Sequence, residues 1–301
     1  MARKRKGVQL DGWLVIDKPL GLTSTQVIGR VRRLTQANKI GHGGTLDPLA
    51  TGILPVALGE GTKAIPYIMD ASKVYRFTVR WGEGRDTDDG EGEVVETSDH
   101  RPTRAEVEAV LPQFMGDILQ KPPVYSAIKV AGQRAYDLVR GGEEVDLPAR
   151  RVHVEQLVVV DEESAGPDFM SFELLCGKGT YVRSLARDIG HALGSCAYVS
   201  QLRRLRVGPF DEGRSISLDK LEELLHSAPP EELILPVETA LDDIPALAVT
   251  GAEAGRLKNG QDICVPSKAQ GLIRVMTGDT LVAVARIEAG KVRPLRIFNL
   301  L

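Results

Sequence analysis

The sequence predicts an α+β chain: a larger body of strands and helices followed by a small β-barrel. Three observations lead there. Strand-like alternation and helix-like spacing both recur before residue 226. The composition changes near Pro245: from Ala246 onward eight bases face four acids, a charge of +4 against −7 for the remainder. That tail carries short strand-like pieces, residues 272–276, 280–287 and 295–300, separated by Gly-containing turns, as a small barrel would. The 301 residues also suit roughly two domains at ~150 residues each.

The elements follow in chain order. Residues 13–16 form an apolar run stopped by Asp17, Lys18, Pro19 and Gly21, as in a strand entering a turn. Thr23, Ser24 and Thr25 offer an N-cap, after which Val27, Val31 and Leu34 recur at helical spacing. Arg30, Arg32 and Arg33 lie between them, a basic face for solvent or RNA. Residues 41–52, GHGGTLDPLATG, show neither period and read as a loop with special backbone demands. Residues 74–81 alternate as a strand, with Tyr75, Phe77 and Val79 on one face. Residues 86–99 hold seven acids and no base, and read as a mostly solvent-facing loop.

Thr103 is a cap-like start for helix formers up to residue 114. Residues 120–151 fit no regular element; three prolines, three glycines and six bases suggest a functional loop or covering flap. Residues 152–160 and 169–176 read as strands. Residues 184–193 read as a helix with Leu185, Ile189 and Leu193 in register, and 217–225 as another.

Composition excludes several classes. With 43% hydrophobic and 26% charged residues the chain is an ordinary globular one, not a disordered one. A net charge of −3 does not advertise a polyanion partner, although patches matter more than sums and the basic β tail favours nucleic acid. Cys176, Cys196 and Cys264 form no CxxC pair, which argues against a disulfide scaffold or cysteine zinc site. No apolar run is long enough to span a membrane, and MARKRKG has no apolar segment behind it. A reduced, cytoplasmic protein is expected, with residues 3–6 as a mobile basic arm. Asp86, Asp88 and Asp89 invite magnesium, but no GxxxxGK[ST] accompanies them. GxSxG, HExxH and GxGxxG are also absent.

Asp47 is the most unusual residue. Pro48 steers it away from helical backbone, and Gly41, Gly43, Gly44 and Gly52 allow close approach of a ligand or chain segment. Leu46 and Leu49 can anchor the loop in the core. Asp47 then either caps a helix starting at Pro48 or presents a carboxylate on a fixed backbone. Arg183, in GKGTYVRSLARDIG, opens a helix behind a strand that would deliver Lys178 and Tyr181; it is either a surface ion-pair residue or the partner of a carboxylate. Tyr75 and Tyr181 are core aromatics or stacking platforms for a flipped base.

These segments resemble a known family. GHGGTLDPLATG behind WLVIDKPLGLTS is similar to the central signature of the tRNA pseudouridine-55 synthases, the TruB family. KVYRFTVRWG with DTDD, KPPVYSAIKVAGQRAYDLVR and GKGTYVRSLARDIG agree in order, and GKVRPLRIFNL resembles the PUA-like domain that follows in many members. The resemblance implies a catalytic domain over residues 11–244 with a mixed, mostly antiparallel sheet. A basic arm at 1–10, an RNA-gripping insertion at about 120–151 and a PUA-like RNA-binding β-barrel at 245–301 complete the expected division.

The implied reaction isomerises one uridine in the tRNA T loop to pseudouridine, with no metal, nucleotide or organic cofactor, in a cytoplasmic monomer that needs no protein partner or membrane. Asp47 aligns with the catalytic aspartate, Tyr75 with the tyrosine that stacks on the base and takes the C5 proton, and Arg183 with the aspartate's arginine partner. His42 aligns with a residue that splays the loop nucleotides, and Lys18 with a supporting KP motif grouped with the substrate site. Asp89 is expected to meet base or ribose donors, while Tyr181 and Leu202 line the pocket. Gly44 stands where a slightly larger residue is tolerated in relatives, and no consequence is expected. A guide-RNA-dependent relative shares the core signature; the compact chain favours the stand-alone enzyme.

Overall fold

The computed structural model describes residues 7–130, 132–161 and 166–300; the expected basic arm at residues 3–6 lies outside the described residues. The strands before the tail are β1 (Gly12–Lys18), β2 (Ile40–His42), β3 (Ala50–Leu58), β4 (Lys73–Trp81), β5 (Glu83–Arg85), β6 (Val94–Thr97), β7 (Gly116–Gln120), β8 (Lys129–Val130), β9 (Gln133–Arg134), β10 (Arg150–Val160), β11 (Phe169–Cys176), β12 (Ala197–Val207), β13 (Phe210–Asp211) and β14 (Ile216–Ser217). One long sheet runs β14-β1-β3-β12-β4-β11-β10-β7, with β2 added to β3 and β13 to β12. Within it β1/β14 and β3/β12 are parallel and the other pairings antiparallel, the mixed sheet expected.

The helices are α1 (Ser24–Thr35), α2 (Ile65–Asp70), α3 (Arg104–Val110), α4 (Ala135–Arg140), α5 (Val182–Ala192) and α6 (Leu218–Leu225). Capping boxes start α1 and α3: the Thr23 and Thr103 hydroxyls accept the Gln26 and Glu106 amides, and those side chains reach back. The caps leave the apolar stripes to face the sheet. On one side α3 and α5 cover Phe77, Val79, Phe172 and Leu174, where Phe77 stacks on Phe172 at 5.1 Å. Elsewhere α1 and α6 bury Val27, Val31 and Leu221 against Leu14, Ile16, Leu54 and Val56.

The tail comprises β15 (Ala246–Ala248), α7 (Gly251–Lys258), β16 (Ile263–Cys264), β17 (Gly271–Thr277), β18 (Thr280–Glu288) and β19 (Lys291–Ile297). Its sheet runs β15-β17-β18-β19-β16 and curls around a core that includes Leu257 of α7. The outer strands β15 and β16 are not paired with each other, so the expected barrel is an open half-barrel. Leu281, Val284 and Phe298 share one apolar cluster with Trp13, Val15, Ile53 and Leu241, joining the tail to the back of β1 and β3. Lys63 Nζ donates to the Ile297 carbonyl at 2.8 Å, and the Asn299 amide to Glu60 at 2.6 Å.

Four expectations are corrected. The loop at 41–52 is shorter: Gly41 and His42 belong to β2 and Ala50, Thr51 and Gly52 to β3, where glycines mask the strand period. The insertion 120–151 contains the β8–β9 hairpin and α4. The acidic stretch includes β6, and Asp88 and Asp89 are buried. Finally, β11 ends at Cys176, so Lys178 and Tyr181 come from a turn rather than a strand.

Candidate active site

Asp47 sits on the loop joining antiparallel β2 and β3, whose register pairs His42 with Val56. No helix starts at Pro48; residues 48–49 form a turn closed by the Ala50 amide on the Asp47 carbonyl at 3.1 Å. Asp47 therefore caps nothing, and its neighbours are pinned from several sides. The buried Ser24 hydroxyl both donates to the Leu46 carbonyl (3.0 Å) and accepts the Leu46 amide (2.9 Å). Lys18, fully buried, donates to the carbonyls of Leu22 (2.6 Å), Pro19 (2.9 Å) and Pro48 (3.2 Å). All three of its donors thus hold backbone, and burial pulls its ammonium down to about 8, against the raising effect of Asp47. Gly44 has φ 127°, a conformation that strains any larger residue, so the glycine does have a consequence here, contrary to expectation: it relieves backbone strain in the loop.

Arg183 is the second residue of α5, whose N-cap, Tyr181, is held by Gln120: the Tyr181 amide donates to Oε1 (2.8 Å) and Nε2 donates to the Tyr181 carbonyl (3.0 Å). The Arg183 side chain is only 6% exposed, which rules out a surface pair. Its Nε lies 3.0 Å from Asp47 Oδ2 and its Nη1 3.5 Å from Asp89 Oδ2. The remaining donors reach the Thr87 carbonyl (2.8 Å) and the Tyr125 carbonyl of the insertion (3.0 Å). Asp89 is fixed through Oδ1 by the Thr87 hydroxyl (2.6 Å) and the Glu91 amide (3.0 Å). Beside it Asp88, with φ 59°, receives Arg187 Nη1 at 2.8 Å, and burial pushes its carboxyl up to about 6.

Asp47, Asp89 and Arg183 line one cleft with Leu49, Ala50, Val199, Ser200, Gln201 and Leu202. A bulge in β12 between Val199 and Gln201 shapes that wall. Asp47 keeps 40% of its side chain exposed, and Oδ1 has no hydrogen-bond partner among the described residues. Tyr75 and Tyr181 stand outside this lining, but both feel the Asp47 charge, and burial raises both phenols. His42 is half-buried on β2 and is lowered first by burial, then by the charge of Arg204. Lys178 pairs with Asp70 on the surface. Among the described residues no group of three or more His, Cys, Asp or Glu side chains is placed to hold a metal ion. Asp86, Asp88 and Asp89 diverge to Tyr125, Arg187 and Arg183.

Sequence reasoning missed β12 and its Arg204. LRRLR offered no way to tell a buried arginine from its exposed neighbours. It also missed Ser24 and Arg187 as loop supports.

A family model for the N-terminal domain of TruB family pseudouridylate synthases matches residues 32–182. A tRNA pseudouridylate synthase B C-terminal domain matches residues 183–242, and a pseudouridine synthase II TruB C-terminal model matches 245–298. The chain belongs to the TruB family. A tRNA pseudouridine synthase B of Caulobacter vibrioides is 53% identical over 311 residues, covering all of both chains. One from Rhodospirillum rubrum is 49% identical over 310, again covering both completely. Among solved structures, a chain in a Cbf5-Nop10-Gar1 complex superposes with a TM-score of 0.75 at 27% identity, covering 96% of this TruB-family chain and 85% of its own. A chain in an H/ACA RNP bound to substrate RNA containing 2′-deoxyuridine reaches 0.74 at 25% identity, covering 100% and 92%.

Proposed function

We propose that this chain converts uridine 55 of the tRNA T loop to pseudouridine: the N1 glycosidic bond breaks, the base turns over and C1′ bonds to C5. The observation that carries the reading is a half-exposed carboxylate on a pinned loop, fixed through one oxygen by the buried Arg183 and open at the other. A folded RNA loop hides its target, so the uridine must leave the stack to reach Asp47. Both routes at the ribose, attack on C1′ or removal of the C2′ proton, begin from the open oxygen. The guanidinium stays charged throughout and keeps the carboxylate aimed without reorganising. Leu49, Val199 and Leu202 present apolar surface that retains the detached base. Tyr75 stacks on the base and takes the C5 proton as its own phenolic proton passes on, with N1 gaining a proton in the end so that none is gained or lost overall, while His42 and Tyr181 act on the flanking nucleotides and the pocket wall.

Residues 11–244 form the catalytic domain in this reading. The insertion at 120–151 grips the T stem-loop, residues 245–301 add an RNA-binding half-barrel, and the arm at 1–10 reaches for phosphates. The protein works as a cytoplasmic monomer without cofactor; no described helix is long and apolar enough to cross a membrane. Asp47→Asn tests the assignment: tRNA binding persists and pseudouridine formation, mapped by carbodiimide adducts on unmodified tRNA, is abolished. Turnover per bound complex at the wild-type level would refute it. Full activity in excess EDTA with folded RNA is the companion expectation; loss there would favour metal chemistry.

A further inference from the structure

The side chain of Arg204 is the least expected group near the cleft. It is 1% exposed, and among the described residues no carboxylate pairs with it. It donates to three backbone carbonyls, Nε to Ile53 at 2.8 Å, Nη2 to Gly44 at 3.0 Å and Nη1 to Thr45 at 3.5 Å, and it also hydrogen-bonds the Tyr75 phenol. Ile53 lies in β3, while Gly44 and Thr45 lead directly to Asp47. On the opposite side β12 pairs with β4 so that Arg204 faces Tyr75, and directly opposed residues in antiparallel strands share a face. Burying an unpaired guanidinium is costly, so packing alone does not account for its presence.

We propose that Arg204 is a positioning residue that ties the backbone before Asp47 to the strand carrying Tyr75, fixing the distance between the two groups. The inference rests on the reading of Asp47 and Tyr75 given above. A planar fork is the right shape for the task, because one rigid group reaches β3 and the loop at once. Gly52 lets the backbone of β3 approach that of β12 at this point: it has φ 99°, and a Cβ there would lie 2.2 Å from the Arg204 backbone carbonyl oxygen. The charge also acts on Tyr75. Burial raises that phenol, and the Asp47 and Cys176 charges add to the rise, whereas Arg204 opposes it. The one side chain therefore sets both the place of the carboxylate loop and the acidity of the tyrosine across the sheet.

The test uses Arg204→Met and Arg204→Lys in the full-length protein. Misplacement by about 1 Å costs on the order of 10²-fold in rate, so Arg204→Met should slow single-turnover pseudouridine formation by about that factor. Its tRNA affinity should stay within about threefold, since no proposed RNA contact is removed. The Tyr75 phenol, followed by ¹³C-tyrosine NMR in RNA-free protein and assigned with Tyr75→Phe, should titrate at higher pH. Arg204→Lys keeps the charge and loses the fork: the titration stays near wild type and the rate still falls. Should Arg204→Met not fold, this variant alone decides, and a wild-type rate in it overturns the proposal. A wild-type rate in folded Arg204→Met, or an unmoved Tyr75 titration with rate and affinity falling together, overturns it as well. Because the titration is read without RNA, it tests the coupling of Arg204 to Tyr75 even if the wild-type chain forms no pseudouridine, an outcome that would sink the functional reading instead.

Discussion

Replacing Arg183 by lysine separates charge from geometry at the cleft. The arginine uses separate nitrogens for Asp47, for the Thr87 carbonyl with Asp89, and for the Tyr125 carbonyl. A lysine ammonium has one nitrogen and cannot span these directions. Placed at Asp47 it abandons the part-buried Thr87 and Tyr125 carbonyls, which costs about 1 kcal/mol of stability. Placed at the carbonyls it abandons Asp47, and a charge-assisted hydrogen bond is worth about 1.5–3 kcal/mol. At 1.4 kcal/mol per decade, that second loss is a rate decrease of about 10- to 10²-fold. The assay is single-turnover release of tritium from C5 of uridine in tRNA with enzyme in excess, beside tRNA binding and a thermal melt. Arg183→Lys should melt earlier, bind tRNA normally and react at least about tenfold more slowly. A reaction rate within about threefold of wild type in a properly folded variant would show that charge alone suffices and that the fork is not needed.

Two further outcomes are expected. Asp88 has its carboxyl raised from 3.8 to about 6 by burial, so the folded state binds more protons than the unfolded one between those values. Stability therefore falls as pH rises from 4 to 6, by up to about 3 kcal/mol. Asp88→Asn should be more stable than wild type at pH 7.5, with the gap closing below pH 4; melts showing a pH-independent gap would count against this. Gly52→Ala forces a side chain into positive φ and onto the Arg204 carbonyl oxygen at 2.2 Å. It should cost about 2 kcal/mol or more in urea unfolding, and an unchanged midpoint would contradict the strain argument.

What the sequence reveals and what it hides have physical causes here. Asp47 is legible because Pro48 restricts its backbone and four glycines nearby allow close approach, and such signals are local. Helix α5 is legible from Leu185 and Ile189, so Arg183 could be placed at its start. The burial of Asp88 and Asp89 is not local. A run of seven acids reads as solvated, until Arg183 and Arg187 arrive from about a hundred positions away. Strand β12 escaped because bulges after Val199 and after Arg204 break its alternation, and its arginines dilute the apolar signal. Lys18 shows a third cause. The motif marked it as part of the site, but only the fold reveals that its ammonium faces three carbonyls and holds the loop from beneath.

The apolar cluster beneath β1 makes the last fifty-odd residues more than an appendage. Severing the chain ahead of Ala246 would undress Trp13, Val15, Ile53 and Leu241, which Leu281, Val284 and Phe298 now cover. The remaining fragment would carry a greasy scar on its back and tend to self-associate. Anyone grafting a foreign tail onto this enzyme must supply a matching apolar lid there, whatever RNA the new tail is meant to recognise.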